Sequence, residues 1–326
     1  MPIPIRPIII ALALSALAVA APAATAQSLP FHRSLNPIAA SRSSLALQPY
    51  VPFSPSRHRF DVSIEYGNAI EYEFAEGGAP LYLLDAELMR GTVAYTRELD
   101  RRTFVVAQVE VAGSYAGFAD GFFVWYHRLI NYRQPEREAR PSNQFGSRIL
   151  LADGTALTAE RTPLSLGDLR ATLGFRHSDQ QQTALAFTLP TATSAARLGR
   201  GTVSVSIVHT LRKELVRDLV FEGTIGVGAT PRHGALAAHQ RALFMSGSTG
   251  IRWRLWGGQS VYGYFYAHSP YYERTGLPSL DRREVTGDFG WISRGADGRE
   301  WRVGMSEDLE PGDAGIDLTL KVSRTY

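Results

Sequence analysis

The sequence predicts an all-β fold: a transmembrane antiparallel β-barrel of about twelve strands, even in number. Three observations point there. Apolar and polar residues alternate with period 2 in segment after segment, while helical periodicity is almost absent. The connections alternate in turn, short polar turns at one end and long or Pro/Gly-rich loops at the other. The chain also ends in Ile316 to Tyr326, apolar at every even position from 316 to 322 and aromatic at its last residue.

Residues 1–26 read as a secretory signal peptide. Met1–Arg6 carries one positive charge, and the apolar run from Ile8 to Ala21 is about fourteen residues, short of the ~20 that span a bilayer as a helix. Pro22 and the small residues Ala24, Thr25 and Ala26 then form a cleavage site before Gln27. Residues 27–58, with Pro30, Pro37, Pro49, Pro52 and Pro55, read as an extended periplasmic N-terminal segment. Its apolar residues Leu35, Ile38, Leu45, Leu47 and Val51 leave open whether it is a flexible tail or a plug inserted into the lumen.

The barrel is expected over 59–326. Phe60, Val62, Ile64 and Tyr66 alternate with Asp61, Ser63 and Glu65, and the same pattern centres strands on Val105–Val111, Leu169–Phe175, Leu185–Leu189 and Val203–Ile207. It returns at Phe221–Val227, Leu243–Trp253, Val285–Trp291, Trp301–Met305 and Ile316–Val322, and 82–97 and 259–268 complete twelve. The connections 98–101, 178–181, 213–217, 257–258 and 294–298 are the short ones. A secreted β-sandwich also alternates, but it would bury one face in a dry core. Here the apolar face carries Tyr66, Trp253, Trp291 and Trp301, the residue types of a lipid-interface girdle.

Composition excludes several classes. With 44% hydrophobic and 20% charged residues, 30 Gly and 18 Pro, the chain is neither disordered nor a bundle of membrane helices. The absence of Cys removes disulfide frameworks, thiolate metal sites and Cys nucleophiles. A formal net charge of +3 gives no footprint for nucleic acid.

The mature chain also resembles a proteobacterial family catalogued as domain of unknown function 3187. The resemblance rests on Leu35-Asn36-Pro37, on Gly117 to Phe122 followed by Trp125-Tyr126-His127, and on Leu166 to Leu169. It continues through Leu189-Pro190-Thr191, His268 to Tyr272 and Glu307-Asp308. Asn131-Tyr132-Arg133 and Ala192 depart from the family pattern. The resemblance implies an outer-membrane barrel with no established activity.

Catalytic motifs fail on inspection. Ser246-Gly247-Ser248-Thr249-Gly250 lacks the first Gly of a nucleophile elbow, and Gly226-Val227-Gly228 meets Pro231 where a dinucleotide loop needs Gly. A lipid-modifying enzyme would need Ser114, His127 and His268 to converge. No metal or other cofactor is expected. Glu307, Asp308, Glu310, Asp313 and Asp317 gather acidic oxygens near the last long loop, a pattern that by itself is a solvated face.

Period-2 projection turns Asp61, Glu65, Glu110, Glu222, Asp288 and Asp317 inward, together with Arg90, Arg170, Arg176, Arg252, Arg254, Arg302 and Lys321. This mixed wall is expected to line a pore for a small polar or zwitterionic solute. The 116–165 loop carries Phe118, Phe122, Phe123 and Trp125 around Asp120 and His127 on a short amphipathic helix. Two readings stand: a constriction at the mouth formed by Asp120, Trp125 and His127, or a helix packed outside. The expected function is a narrow solute channel in the cell outer membrane of a Gram-negative bacterium; the alternatives are a closed structural barrel and, behind it, the lipid-modifying enzyme. Expected partners are membrane lipid, lipopolysaccharide, a small-molecule solute, and the assembly machinery that reads the strand ending at Tyr326.

Overall fold

The computed structural model describes residues 32–42, 47–54, 56–74, 80–131, 135–138, 140–193, 201–296, 298–310 and 316–326. The leader lies outside them, as does Asp313. Twelve long strands form a closed antiparallel barrel: β1 (His58–Phe74), β2 (Pro80–Glu98), β3 (Thr103–Tyr115), β7 (Leu169–Ser178), β8 (Gln181–Leu189), β9 (Ser204–Val216), β10 (Leu219–Ala229), β11 (Leu243–Arg254), β12 (Gln259–His268), β13 (Glu284–Arg294), β14 (Glu300–Asp308) and β15 (Leu318–Thr325). Three short strands, β4 (Gly146–Leu150), β5 (Ala156–Thr158) and β6 (Thr162–Leu166), lie in the connection between β3 and β7. Each expected strand is present.

Strands pair with their chain neighbours around the ring, and β1 meets β15 from Asp61↔Thr325 to Asn68↔Leu318. Phe60 and Tyr326 exchange backbone bonds just beyond that register, so the sheet has no open edge there. Alternation sorts the two faces. Phe60, Val62 and Ile64 point out and are exposed, while Glu65, the next residue in the pleat, is 7% exposed. The same holds for exposed Leu173 and Phe175 against buried Arg170 and Arg176. A belt of exposed apolar side chains backed by buried charges inverts a water-soluble protein, and its solvent is lipid.

One end carries the tight turns. Asp218 takes a positive φ of 72° in the turn from β9 to β10, and Gly257 and Gly258 take 48° and 84° between β11 and β12. Trp291, Trp301 and Tyr326 sit outside near this end. Arg324, where an apolar residue suits lipid better, lies 4.8 Å from the Trp301 ring centre and 4.5 Å from that of Tyr326. Stacking between two interfacial rings lets the guanidinium stay near the headgroups.

The other end carries the long loops. β1 and β2 run 17 and 19 residues, against 8 to 13 for the remaining ten barrel strands. They therefore stand above the rim, where β4 takes over the edge of β2 from β3, pairing Tyr82↔Ile149 to Asp85↔Gly146.

Close sheet packing supplies a stability test. A Cβ on Gly250 would lie 2.1 Å from the Tyr264 Cβ and 2.5 Å from the Gly263 carbonyl oxygen, whereas nothing lies within 4 Å of one on Gly121. G250V is expected to destabilise the barrel by about 1–3 kcal/mol or more, read as a lower urea midpoint and loss of the compact band in unheated gels. G121A should leave both unchanged.

Candidate functional site

The lumen is occupied by the chain's own N-terminal segment. Residues 32–42 and 47–54 lie inside the barrel as the two arms of a hairpin, joined by an antiparallel bridge between His32 and Leu47, with helix α1 (Pro37–Arg42) in the first arm. Asn36 starts that helix, its side-chain oxygen accepting from the Ile38 N–H at 2.9 Å. The segment expected as a periplasmic extension therefore lies within the wall over its described part. A chain without a regular partner strand must satisfy its backbone polar groups elsewhere, and the wall supplies donors and acceptors.

Arg90 donates to the carbonyls of Ser34 and Arg33 at 2.9 and 2.8 Å and to Glu65 at 2.6 Å, and Arg33 pairs with Glu110. At the long-loop end, Arg42 donates to the carbonyls of Thr230, Pro231 and Arg241 at 2.8 to 3.1 Å. On the way back, Tyr50 N–H reaches Glu222 at 3.1 Å, and Gln182 both accepts from Val51 N–H at 2.8 Å and donates to Pro49 O at 2.7 Å. Arg176 donates to Val51 O at 2.6 Å and forks onto Glu98 at 2.8 and 2.7 Å. Many of the charges projected inward from the sequence thus face the hairpin.

The remaining projected wall residues are placed as follows. Arg252 donates to Ser260 at 3.2 Å, Arg302 to Glu300 at 2.9 Å, and Arg254 pairs with Asp218. Asp288 pairs with Lys321. Arg170 is buried in the wall, and Asp317 is half-buried beside the long-loop end of β15. Gln182, Thr210 and Glu98 also hold the hairpin or its supports and were missed. As neutral or strand-end residues they fell outside a search for inward charge, although period 2 places Gln182 and Thr210 inside.

Between hairpin and wall a cavity of about 90 Å³, room for a few waters, opens to solvent. Its lining includes Gln48 and Pro49 of the hairpin and Asp61, Glu65, Arg302 and Lys321 of the wall. Tyr262 also lines it, lying flat on the wall: a Cβ on Gly304 would come within 2.1 Å of its hydroxyl oxygen, and one on Gly290 within 2.7 Å. At the long-loop end an apolar cluster closes the lumen, joining Ile38 and Leu47 of the hairpin with Tyr82, Ile149, Leu236 and Leu280.

Of the two readings left open for Asp120, Trp125 and His127, the geometry fits the helix packed outside. They sit on or at the start of helix α2 (Asp120–Leu129), whose partners are outward-facing wall positions. Asp120 accepts from Asn68 at 2.7 Å, and His127 lies 3.1 Å from Glu307. By strand parity Asn68 shares the face of Ile64 and Glu307 that of Trp301. Trp125 is 56% exposed, in line with Phe118 at 82% and Leu129 at 67%. The amphipathic pattern was read correctly, but a loop's sequence does not say which side of a rim it covers. Burial, with Glu307 adding to it, pushes the Tyr126 hydroxyl on this helix up to about 12.

A buried ion cluster fixes the helix there. Arg137, on the short helix α3 (Pro135–Glu138), donates to Asp85 at 3.0 Å, Asp120 at 3.1 Å and Asn68 at 2.7 Å. The same parity separates the residues a hydrolase would need: His127 is outside, whereas His268 lies inside, 2.9 Å from Glu284. Ser114 accepts from Thr162 N–H at 3.3 Å. In the acidic cluster, Glu310 receives Arg283 at 2.9 Å and Glu307 meets His127.

Removing Arg137 takes one partner from each of two buried carboxylates, Asp85 keeping Arg140 at 2.6 Å and Asp120 keeping Asn68, so R137A is expected to cost the loop about 1–3 kcal/mol. Protease cleavage within 116–165 should rise at least tenfold while the heat-dependent gel shift of the barrel persists.

Comparison with known proteins follows this geometry. Residues 5–326 match the family described as "Protein of unknown function (DUF3187)", and the chain belongs to that family. No curated protein matches. Among solved structures, the COG4313 outer membrane channel from Pseudomonas putida F1 is similar at a TM-score of 0.54 and 11% identity, over 84% of this chain and 96% of that one. The P. putida toluene transporter TodX gives 0.41 and 12%, over 89% and 92%. The NanC porin gives 0.44 and 6%, over 82% and 98%. At 11% identity the likeness to the first of these speaks to the fold alone, an outer-membrane type of barrel.

Proposed function

We infer that this member of the family is a channel for a small solute in the outer membrane of a Gram-negative bacterium, held shut at rest by residues 32–54. The observation that carries the reading is a mixed-charge lumen that the wall's own side chains leave unfilled and that residues 32–42 and 47–54 occupy, with a solvent-open cavity of about 90 Å³ beside them and the apolar cluster above. A barrel with a purely structural role could fill that space with wall side chains and needs no inserted segment. The charges already projected inward, Glu65, Arg90, Glu110, Arg170, Arg176, Glu222, Arg252, Arg254, Asp288, Arg302, Asp317 and Lys321, are proposed to line the path or to hold its plug. Matching the short-turn end to the periplasm puts the long loops and α2 toward lipopolysaccharide, and the β15 strand ending at Tyr326 toward the assembly machinery.

The dense hairpin–wall contacts favour one rival, a permanently closed structural barrel. Planar-bilayer recording separates the two. The refolded chain 27–326 should show rare, brief openings, and deletion of 32–54 should raise mean conductance at least tenfold. Silence in both, with the heat-dependent gel shift intact, would leave the closed barrel as the function.

A further inference from the structure

β12 places Tyr262, Tyr264, Tyr266 and His268 at successive inward positions, all buried. Their rings form a ladder along the lumen. Tyr262 and Tyr264 stack at 6.0 Å and 21°, and Tyr266 meets His268 edge-on at 5.9 Å. Above them Tyr271 lies 4.1 Å from His268 and meets Phe244 at 5.0 Å. The ladder thus runs from the long loops down to the solvent-open cavity, which Tyr262 lines.

The one rung that does not belong to the wall or its loops is His32 of the hairpin. Its ring lies 4.2 Å from that of Tyr266 and stands edge-on to Tyr264 at 5.7 Å. Its Nδ1 is 2.9 Å from the Lys321 Nζ, which can donate to it, and 3.5 Å from Asp288 Oδ2. Its Nε2 is buried and has no hydrogen-bond partner among the described residues. A second, small void of about 10 Å³, the room of one water, lies beside it, and the two cavities share Glu65 and Lys321. His32 therefore fills an aromatic slot with one polar edge, and fills it incompletely.

We propose that the slot between Tyr264 and Tyr266 is a binding site for a monocyclic aromatic solute bearing a hydroxyl, and that His32 occupies it in the shut state as an internal stand-in. Such a ring offers a π face to both tyrosines. Its hydroxyl accepts from Lys321 and donates to Asp288, the two bonds that one imidazole nitrogen meets only in part. Solute entry and hairpin seating then exclude each other, so the solute itself favours the unplugged state. This deepens the channel reading and rests on it.

Phenol and cyclohexanol provide the test, being alike in size and hydroxyl but differing in the π face. Equilibrium dialysis against the refolded chain 27–326 should show at least a fivefold preference for phenol. H32A should bind phenol at least fivefold more tightly than the unsubstituted chain, and Y266L in that background should reduce the preference below twofold. In the unsubstituted chain, phenol but not cyclohexanol should speed tryptic cleavage after Arg33 and Arg42, a readout that stands even where a variant fails to refold. Equal binding of the two probes, or no gain in H32A, overturns the site. Dialysis needs no conduction: a silent barrel that prefers phenol sinks the channel and spares the site, and a conducting barrel without preference does the reverse.

Discussion

Hydrocarbon offers a backbone amide no partner, and this constraint shapes everything else in the molecule. A sheet crossing lipid must pair every N–H and C=O with another strand, which forces the last strand back onto the first. The β1–β15 register and the Phe60–Tyr326 pair meet that demand. Closure then makes inside and outside absolute: each strand shows lipid its odd or its even side chains for its whole length. The buried charges of the wall exist because the other face has taken the apolar residues.

A closed wall of polar side chains poses a second problem, since twelve strands enclose more space than their own side chains fill. The chain answers with a segment that is poor in regular structure and therefore rich in unpaired backbone groups. Arg90, Arg176 and Gln182 each bond to main-chain atoms of the hairpin, so wall and plug complete one another's hydrogen bonding. Breaking such contacts into water costs little compared with breaking them in a dry core, which suits an inserted segment bordered by a solvent-open cavity.

The barrel was legible because period 2 is imposed at every turn of the chain. Val105 to Val111 or Leu169 to Phe175 admit no other half-buried arrangement, and the inward direction of Glu65, Arg90 and Arg176 follows from their lipid-facing neighbours. Legibility ends where that rule stops acting. Asp120 and His127 lie on a helix whose amphipathic pattern was evident, but its docking face depends on Asn68, Glu87 and Glu307, which belong to three different strands. The hairpin escaped a firm reading for the same reason: its partners, from Arg90 to Lys321, lie scattered over most of the chain. Arg324 looked anomalous in a lipid-facing strand until Trp301, 23 positions earlier, came beside it.

The place of the hairpin in the chain constrains the ways in which the barrel can be assembled. It directly precedes β1, while the seam that encloses it joins Asp61 to Thr325 across 264 positions. Closing so long a loop is the entropically costly, slow step of folding. Partners such as Glu110 and Glu222 belong to strands made well before β15, so the hairpin can gather them while the sheet is still an open, curling ribbon. A barrel wrapped around its contents and sealed last would spare the hairpin from threading a closed wall, and a chain lacking the hairpin would have to bend its sheet without an internal template.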